Sequence, residues 1–458
     1  MDHFHYHQGV LHCEEVAAPR LAAAVGTPCY VYSRATLVDH YDRLAAAFAP
    51  LDPLICFALK SCSNLSVTRL LVERGAGLDL VSGGELYRAL AAGVDPGRCV
   101  FAGVGKQDDE IAAALEAGVG WFNIESEAEY ENLSAIAART GRRPRAALRV
   151  NPDVDPRTHR YTTTGRRETK FGVDLERARA FFRRFGGDPH CRLRGIHLHI
   201  GSQVERIEAY VQSIRKTLAL VDDLAAMSPT PHPIELLDLG GGFGADYETA
   251  QAPRPADYAA AIGPLLAERV AAGLKIVLEP GRMITANAGV LLTRVLYTKS
   301  SGTKRFVICD AGMHTLLRPS LYEAFHFAWP CRVAAGHVPR TRTATPDLPG
   351  LEVVDIVGPI CESGDFLAVD RPLPPVQRGD LLAIFGTGAY GMTMASRYNS
   401  QPLPAEVLIA GAEATLVRTR ETYDDLIAHE RASQPIALPD TSSSAAASGP
   451  TVPGIPTP

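Results

Sequence analysis

Eight apolar runs, each ending in polar or glycine residues, recur along the first part of the chain. They cover residues 54–59, 77–82, 99–104, 121–126, 145–151, 194–201, 236–242 and 275–282. Between them lie stretches whose apolar residues have helical spacing, such as residues 66–74 and 110–116. Eight alternating strands and helices are typical of a (β/α)8 barrel, which takes about 250 residues. We therefore predict an α/β protein with a TIM-type barrel over residues 34–285.

After residue 285 the pattern changes to short strand-like runs without long helices between them. These runs cover residues 290–298, 305–310, 351–357, 381–385 and 404–409, and a run at 29–32 before the barrel could pair into the same sheet. We expect an all-β domain, sandwich-like or barrel-like, formed by residues 1–33 and 286–431. Residues 432–458 are rich in Pro, Ser and Ala, so a disordered tail is expected there.

Composition narrows the class of protein further. The 458 residues are 46% hydrophobic, which leaves room for a barrel and a second domain. The net charge of −5 and the scattered Lys and Arg residues argue against nucleic-acid binding. No run could span a bilayer or resembles a signal peptide, so we expect a cytoplasmic protein without membrane contact. The nine cysteines form no CxxC pair, which favours reduced thiols over disulfides or zinc.

Polar and glycine residues end the runs, and barrel enzymes carry their catalytic residues at the C-terminal ends of the barrel strands. Lys60 follows the first run, where a buried cation is costly unless chemistry needs it, although a lysine that reaches out to solvent is the alternative. Residues 238–244, Asp-Leu-Gly-Gly-Gly-Phe-Gly, end the seventh run. Barrels often bind phosphate after strands 7 and 8, but a tight turn would also explain the glycines.

The eighth run ends in Glu279-Pro280-Gly281-Arg282. Glu279 and Arg282 could form a structural ion pair. In the functional interpretation Gly281 completes a phosphate cradle and Glu279 contacts an electron-poor ring. A phosphate and a ring together suggest pyridoxal 5'-phosphate, with Lys60 as its Schiff-base partner.

Two histidines, His197 and His199, lie two positions apart in the sixth run and could be metal ligands. No further cluster in the sequence completes a metal site, so we expect none. Stacking of His199 on a planar cofactor, with the Ser202 hydroxyl on its phosphate, is the preferred account. The alternating histidines at positions 3, 5 and 7 are interpreted as a solvated terminus.

Ten ordered motifs now carry a family resemblance that covers nearly everything but the tail. They are FALKSCSN, GLDLVSGGEL, VNPDVDP, TKFGV, HLHIGSQ, DLGGGFG, EPGR, LRPSLY, CESGD and GAYGMTMASRYN. In these motifs the chain resembles the fold-type III, pyridoxal-phosphate-dependent decarboxylases, and among them those that convert meso-diaminopimelate to L-lysine and CO2. The resemblance implies a barrel with a β domain, as in alanine racemase-like enzymes.

The resemblance also implies roles for individual residues. Lys60 would hold the cofactor and Cys361, contributed by the partner subunit of a homodimer, would return a proton to the substrate. The cofactor would further contact Asp79, His199, Ser202, Gly240, Gly241, Gly242, Glu279, Gly281, Arg282 and Tyr390. The substrate would contact Arg282, Arg318, Tyr322, Glu362 and Tyr390. Arginines suit a substrate with two carboxylates because their planar fork binds both oxygens.

A racemase of this fold usually has an arginine where Glu279 stands, so Glu279 argues against a racemase. Three other functions remain open from the sequence. An ornithine- or lysine-type decarboxylase would leave Arg318 unexplained, because its substrate has no distal carboxylate. A non-enzymatic relative would lack the β domain or would have lost Lys60 or Cys361. A metal-dependent barrel hydrolase is the third.

Overall fold

The computed structural model describes residues 2–155, 170–227, 232–248, 252–436 and 438. Its strands are β1 Phe4–His7, β2 Val10–Cys13, β3 Val16–Ala17, β4 Cys29–Ser33, β5 Leu54–Ala58, β6 Gly77–Leu80, β7 Cys99–Phe101, β8 Trp121–Ile124, β9 Arg145–Asn151, β10 Val173–Asp174, β11 Arg192–Leu198, β12 Leu236–Asp238, β13 Lys275–Leu278, β14 Gly289–Ser301, β15 Lys304–Cys309, β16 Ala328–Pro330, β17 Glu352–Val357, β18 Phe366–Leu373, β19 Leu381–Phe385, β20 Ala405–Ala410 and β21 Glu413–Arg418. Its α-helices are α1 Ala18–Val25, α2 Arg34–Phe48, α3 Leu65–Glu73, α4 Gly83–Ala92, α5 Asp108–Ala117, α6 Glu127–Thr140, α7 Leu175–Phe185, α8 Ile207–Ala225, α9 Pro255–Ala271, α10 Arg282–Thr285, α11 Arg318–Tyr322 and α12 Tyr423–Ile427.

Eight parallel strands close into a barrel. Their order is β5-β6-β7-β8-β9-β11-β12-β13, and β13 pairs back onto β5 with Val277 opposite Leu54. The predicted fold class, a TIM-type barrel with a separate β sheet, is confirmed. Most barrel strands end earlier than their apolar runs. The seventh run, for example, leaves the sheet after Asp238, because the glycines that follow adopt positive φ angles at Gly240 and Gly242.

The barrel interior is layered, and this layering positions the polar side chains. Its lower layer is apolar and consists of Cys56, Val100, Trp121, Ala147, Leu236 and Val277. Successive side chains of a strand point to opposite faces, so residues two positions further along face the same side. Asn123, Asp238 and Glu279 stand two positions after Trp121, Leu236 and Val277, and all three are buried. They form a polar layer nearer the C-terminal mouth of the barrel.

A second, mixed sheet is centred on the long strand β14. This strand pairs antiparallel with β15, β19 and β4, and β4 in turn pairs parallel with β20. The run at 29–32 therefore does join the sheet that follows the barrel in sequence. The boundaries proposed at 33/34 and 285/286 stay predictions, and most of the expected tail lies outside the described residues. Within the described ranges, no helix has the length and apolar character needed to cross a membrane.

Candidate active site

Lys60 lies just beyond β5, in a short 3-10 turn formed by Leu59–Ser61, and not in the strand itself. Its ammonium forms an ion pair with Asp79, which is fully buried, while 36% of the Lys60 side chain stays exposed at the barrel mouth. Burial alone would lower the pKa of Lys60, but Asp79 and Glu279 raise it well above its ordinary value. Burial and the charge of Glu279 likewise raise the pKa of Asp79, to about 7. The lysine is thus accessible and held beside a carboxylate.

Glu279 is buried directly after β13. The side-chain amide of Asn123 donates to Glu279 Oε1 at 3.1 Å and to Asp238 Oδ2 at 3.0 Å, and His197 Nε2 lies 3.4 Å from Glu279 Oε2. Burial opposes ionisation of Glu279, yet His197 and Lys60 lower its pKa well below the usual range. Burial and the charge of Glu279 raise the pKa of Asp238. Of these two acids, Glu279 is therefore the one that carries the negative charge.

His197, Asp238 and Glu279 also bring three possible metal-ligand atoms within 4.8 Å of one another. The sequence-based premise that no His or carboxylate cluster completes a site with the histidines is therefore wrong for His197, whereas His199 is not part of this group. The long-range contact between β11, β12 and the end of β13 brings these residues together.

His199 lies just past the end of β11, and its ring accepts a hydrogen bond from the Gly241 amide at Nδ1 over 3.2 Å. Burial and the nearby Arg149 guanidinium lower the pKa of His199 well below its ordinary value. The ring is therefore neutral and its orientation is fixed from one edge, because a protonated ring could not accept at Nδ1.

The glycine run after β12 permits close approach of three chain segments. A Cβ on Gly241 would lie 2.1 Å from the Glu279 carbonyl oxygen, and one on Gly242 would lie 2.1 Å from the Gly201 carbonyl oxygen. A Cβ on Gly281 would meet Ala58 and Ser61 at 3.0 Å. Close packing of the neighbouring backbone already requires glycine at these positions. The structural alternative to a phosphate site, a tight turn, therefore explains part of the glycine run. The same approach brings the glycine run beside Glu279, three residues before α10 begins.

Two arginines and two tyrosines line the remaining side of the site. Arg282 donates to Ser202 Oγ at 2.9 Å and to the Tyr247 hydroxyl at 3.0 Å, and its guanidinium lies 4.8 Å from the centre of the Tyr390 ring. Arg318 lies 4.8 Å from the centre of the Tyr247 ring. Tyr390 has a positive φ of 55° and donates its amide to the Ser61 carbonyl in the turn that holds Lys60. Both guanidinium groups are buried, which is costly without an anionic partner.

Comparison with known proteins settles the family. The sequence model described as "Pyridoxal-dependent decarboxylase, pyridoxal binding domain" matches residues 34–286. A diaminopimelate decarboxylase of Pseudomonas aeruginosa is 46% identical over 430 residues, which cover 94% of this chain and 99% of that protein. The chain belongs to the diaminopimelate decarboxylase family.

Solved structures of this family have the same fold. The crystal structure of diaminopimelate decarboxylase from Helicobacter pylori complexed with L-lysine is 37% identical, has a TM-score of 0.82, and covers 90% of this chain and 98% of that one. The crystal structure of diaminopimelate decarboxylase from M. jannaschii in co-complex with L-lysine is 35% identical, has a TM-score of 0.86, and covers 94% of this chain and 98% of that one. The resemblance inferred from the ten motifs is confirmed.

Two residues expected in a diaminopimelate decarboxylase site stand apart within this chain. Cys361 is exposed, and its amide donates to Asn399, while Glu362 accepts from the Tyr398 hydroxyl at 2.9 Å. Among the described residues, neither forms a hydrogen bond or an ion pair with Lys60. Tyr322 ends α11, the short helix that begins with Arg318. The other predicted site residues lie around the barrel mouth.

Sequence reasoning missed several members of the site. The roles of Asn123, Asp238 and His197 around Glu279 were not predicted, and neither was Tyr247 between the two arginines. The alternation of side chains along β8 and β12 could have indicated Asn123 and Asp238, since each stands two positions after an apolar barrel residue. No local signal marks Tyr247, which a loop brings to the arginines.

Proposed function

We propose that this chain decarboxylates meso-2,6-diaminopimelate to L-lysine and CO2 with pyridoxal 5'-phosphate, as the last step of lysine biosynthesis. The observation that carries the proposal is the buried Glu279, held by Asn123 and His197 in the same barrel whose mouth presents Lys60 paired with Asp79. A carboxylate at this place suits a decarboxylase, because a ring nitrogen facing it keeps its proton.

The residues at the barrel mouth fit the cofactor. Lys60 would hold its aldehyde carbon, His199 would stack on the ring, and Asp79 would lie near both. Ser202, Gly240–Gly242, Gly281 and the Arg282 segment would surround the phosphate. Among the described residues, Asp79 Oδ1 and Asn123 Oδ1 are buried without a hydrogen-bond partner. Such atoms are uncommon in a complete protein, which suits a site that a bound group completes.

When bound, pyridoxal phosphate supplies an electron sink for the electron pair that remains on Cα when CO2 leaves. Glu279, by staying ionised, would keep a proton on the ring nitrogen. Lys60 would be the side-chain amine that holds the aldehyde carbon of the cofactor when no substrate is bound. Cys361 of a second copy donates its thiol proton to Cα and regains one from water. A thiol suits this step because its ordinary pKa, about 8.5, is close to neutrality.

Substrate choice follows from the two buried arginines. Arg282 and Arg318, with Tyr322, would bind the distal carboxylate of the substrate, and Glu362 would bind its distal ammonium group. Tyr390 would contact both cofactor and substrate. Anchoring the far end decides which bond at Cα stands perpendicular to the ring, and therefore which bond breaks.

Carbon dioxide release tests this function. Purified protein should release CO2 from meso-diaminopimelate, should need added pyridoxal phosphate after dialysis against a carbonyl reagent, and should leave ornithine and lysine nearly untouched. Equal turnover of ornithine or lysine would contradict the assignment of the arginines. Insensitivity to chelators would separate this reaction from metal-dependent hydrolysis.

We infer a homodimer with shared sites, because Cys361 and Glu362 stand apart from Lys60 within one chain. Lys60→Ala and Cys361→Ala chains should each be inactive alone. An equimolar mixture of the two should recover up to about a quarter of the activity, because about half of the dimers are mixed and one of the two sites in each mixed dimer contains both residues. No recovery after verified subunit exchange would contradict sharing. The nine free cysteines suit a reducing compartment such as the cytoplasm.

A further inference from the structure

The N-terminal hairpin presents three histidines on one outward face. Strands β1 and β2 are joined by Gln8 and Gly9, whose φ angles of 49° and 74° form a two-residue hairpin turn. His5 lies directly opposite His12 in the antiparallel pair. His7 is two positions after His5 and therefore shares its face, and both are exposed while Phe4 is buried. His5 and His7 thus belong to an ordered strand.

The three rings already lie close to one another. The ring centres of His5 and His12 are 5.8 Å apart, with planes inclined by 18°, and those of His7 and His12 are 5.9 Å apart, with planes inclined by 83°. Three imidazoles bound tetrahedrally at a metal–nitrogen distance of about 2.0–2.1 Å have ring centres about 5 Å apart. His5 and His7 therefore each have to approach His12 by only about 1 Å.

The nitrogens themselves have not converged. Over the part of the chain that the structure describes, His197, Asp238 and Glu279 are the group whose donor atoms lie within 4.8 Å of one another. Convergence on the hairpin would use side-chain rotation of the two exposed rings. His5 and His7 are exposed, so their rings can change rotamer without disturbing the core.

One ring is already oriented as a ligand. His12 Nδ1 lies 3.0 Å from the carbonyl oxygen of Val10 and donates to it, which leaves Nε2 as the free acceptor. Metal-binding histidines usually donate their second ring nitrogen to a carbonyl or carboxylate in this way.

The hairpin is also fixed on a rigid support. Leu11 donates its amide to the Cys331 carbonyl and Gly9 accepts from the Val333 amide, both at 2.8 Å. The Tyr6 hydroxyl donates to the Pro330 carbonyl at 2.7 Å. The three histidine backbones are therefore held in place before any ligand arrives, which reduces the entropy cost of binding.

We propose that His5, His7 and His12 bind one divalent transition-metal ion of the zinc class, with water in the fourth position. Imidazole ligands suit Zn²⁺, Cu²⁺ and Ni²⁺, and carboxylate-preferring Mg²⁺ and Ca²⁺ should not compete. The site is separate from the barrel mouth and does not depend on the proposed decarboxylation.

The test uses the full chain without a histidine tag, loaded with pyridoxal phosphate. Isothermal titration with Zn²⁺ and visible absorption with Co²⁺ measure affinity, stoichiometry and geometry. We expect one tight site per chain, an intense Co²⁺ spectrum of the tetrahedral type, and at least tenfold weaker binding in each of His5→Ala, His7→Ala and His12→Ala. His190→Ala, which removes an exposed histidine elsewhere, should bind as the unaltered chain does.

Three results would overturn the proposal. They are no Zn²⁺ binding by the full chain, binding that persists unchanged in the His5→Ala and His7→Ala variants, and a weak octahedral Co²⁺ spectrum. Persistent binding would place the ion elsewhere, for example at His197, Asp238 and Glu279. Because His5 and His7 are exposed, their variants should fold even if His12→Ala does not, and circular dichroism checks this.

Discussion

Replacing Glu279 with glutamine tests how the site controls its electron sink. The side chain is buried at 3% exposure, accepts from Asn123 at 3.1 Å, and lies 3.4 Å from His197. Glutamine keeps the shape and removes the charge. If its amide nitrogen faces Asn123, the hydrogen bond from Asn123 is lost, because two amide NH2 groups cannot bond to each other as donors alone.

The size of the effect follows from the lost interaction. A hydrogen bond to a charged group contributes about 1.5–3 kcal/mol. If Glu279 stabilises the protonated ring nitrogen by this amount while the electron pair develops on the ring, loss of its charge should lower kcat about 10- to 150-fold. KM for meso-diaminopimelate should change little, because the arginines and not Glu279 bind the distal carboxylate.

Initial rates of CO2 release, at saturating cofactor, measure this change. Glu406→Gln is the matched control, since Glu406 is also buried and accepts from Tyr32 and Asn64 in the second sheet. It should lose stability and keep kcat within a few-fold. The reasoning is refuted if Glu279→Gln retains more than about a third of kcat, or if the control loses as much.

Three further outcomes are expected. Arg318→Gln should raise KM for meso-diaminopimelate at least tenfold at unchanged cofactor content, and an unaltered KM in initial-rate kinetics would contradict its assignment. Burial, together with the Arg318 charge, lowers the pKa of His326 to about 3, whereas an unfolded histidine titrates near about 6.5. Between these two pKa values the unfolded chain binds one more proton than the folded chain. His326 should therefore lower the free energy of unfolding by about 1.4 kcal/mol for each pH unit by which the pH falls through that range. His326→Gln should remove this dependence in urea melts. Gly241→Ala should destabilise by about 1–3 kcal/mol because its Cβ meets the Glu279 carbonyl at 2.1 Å, while Gly336→Ala, with open space around its Cβ, should leave the thermal midpoint unchanged.

The barrel could be predicted because its strands are buried on both faces and read as continuous apolar runs. Strands of the second sheet were harder to find. Strand β21, Glu413–Arg418, is mostly exposed, and β18 contains the charged pair Asp370-Arg371 followed by Pro372, so neither shows a clear apolar pattern. Pairing with β20 defines β21, and pairing with β17 defines β18. Strand pairing of this kind is not visible in the pattern of a single segment.

The candidate site was predictable where a residue ends a barrel strand, as Lys60 and Glu279 do. Its electrostatics were not, because the charge of Glu279 depends on His197 and Asn123, which come from two other strands. Tyr247 reaches the arginines from a loop without any motif. The assignments of Cys361 and Glu362 rest on family resemblance, and one chain alone does not bring them to Lys60.

The covalent attachment of pyridoxal phosphate tests the central claim most directly. Borohydride reduction of the loaded protein, followed by proteolysis and peptide mass mapping, locates the attached group. The account predicts a phosphopyridoxyl mass on Lys60 and its loss in Lys60→Ala. A label on another lysine, or none on a protein that still releases CO2, would contradict it.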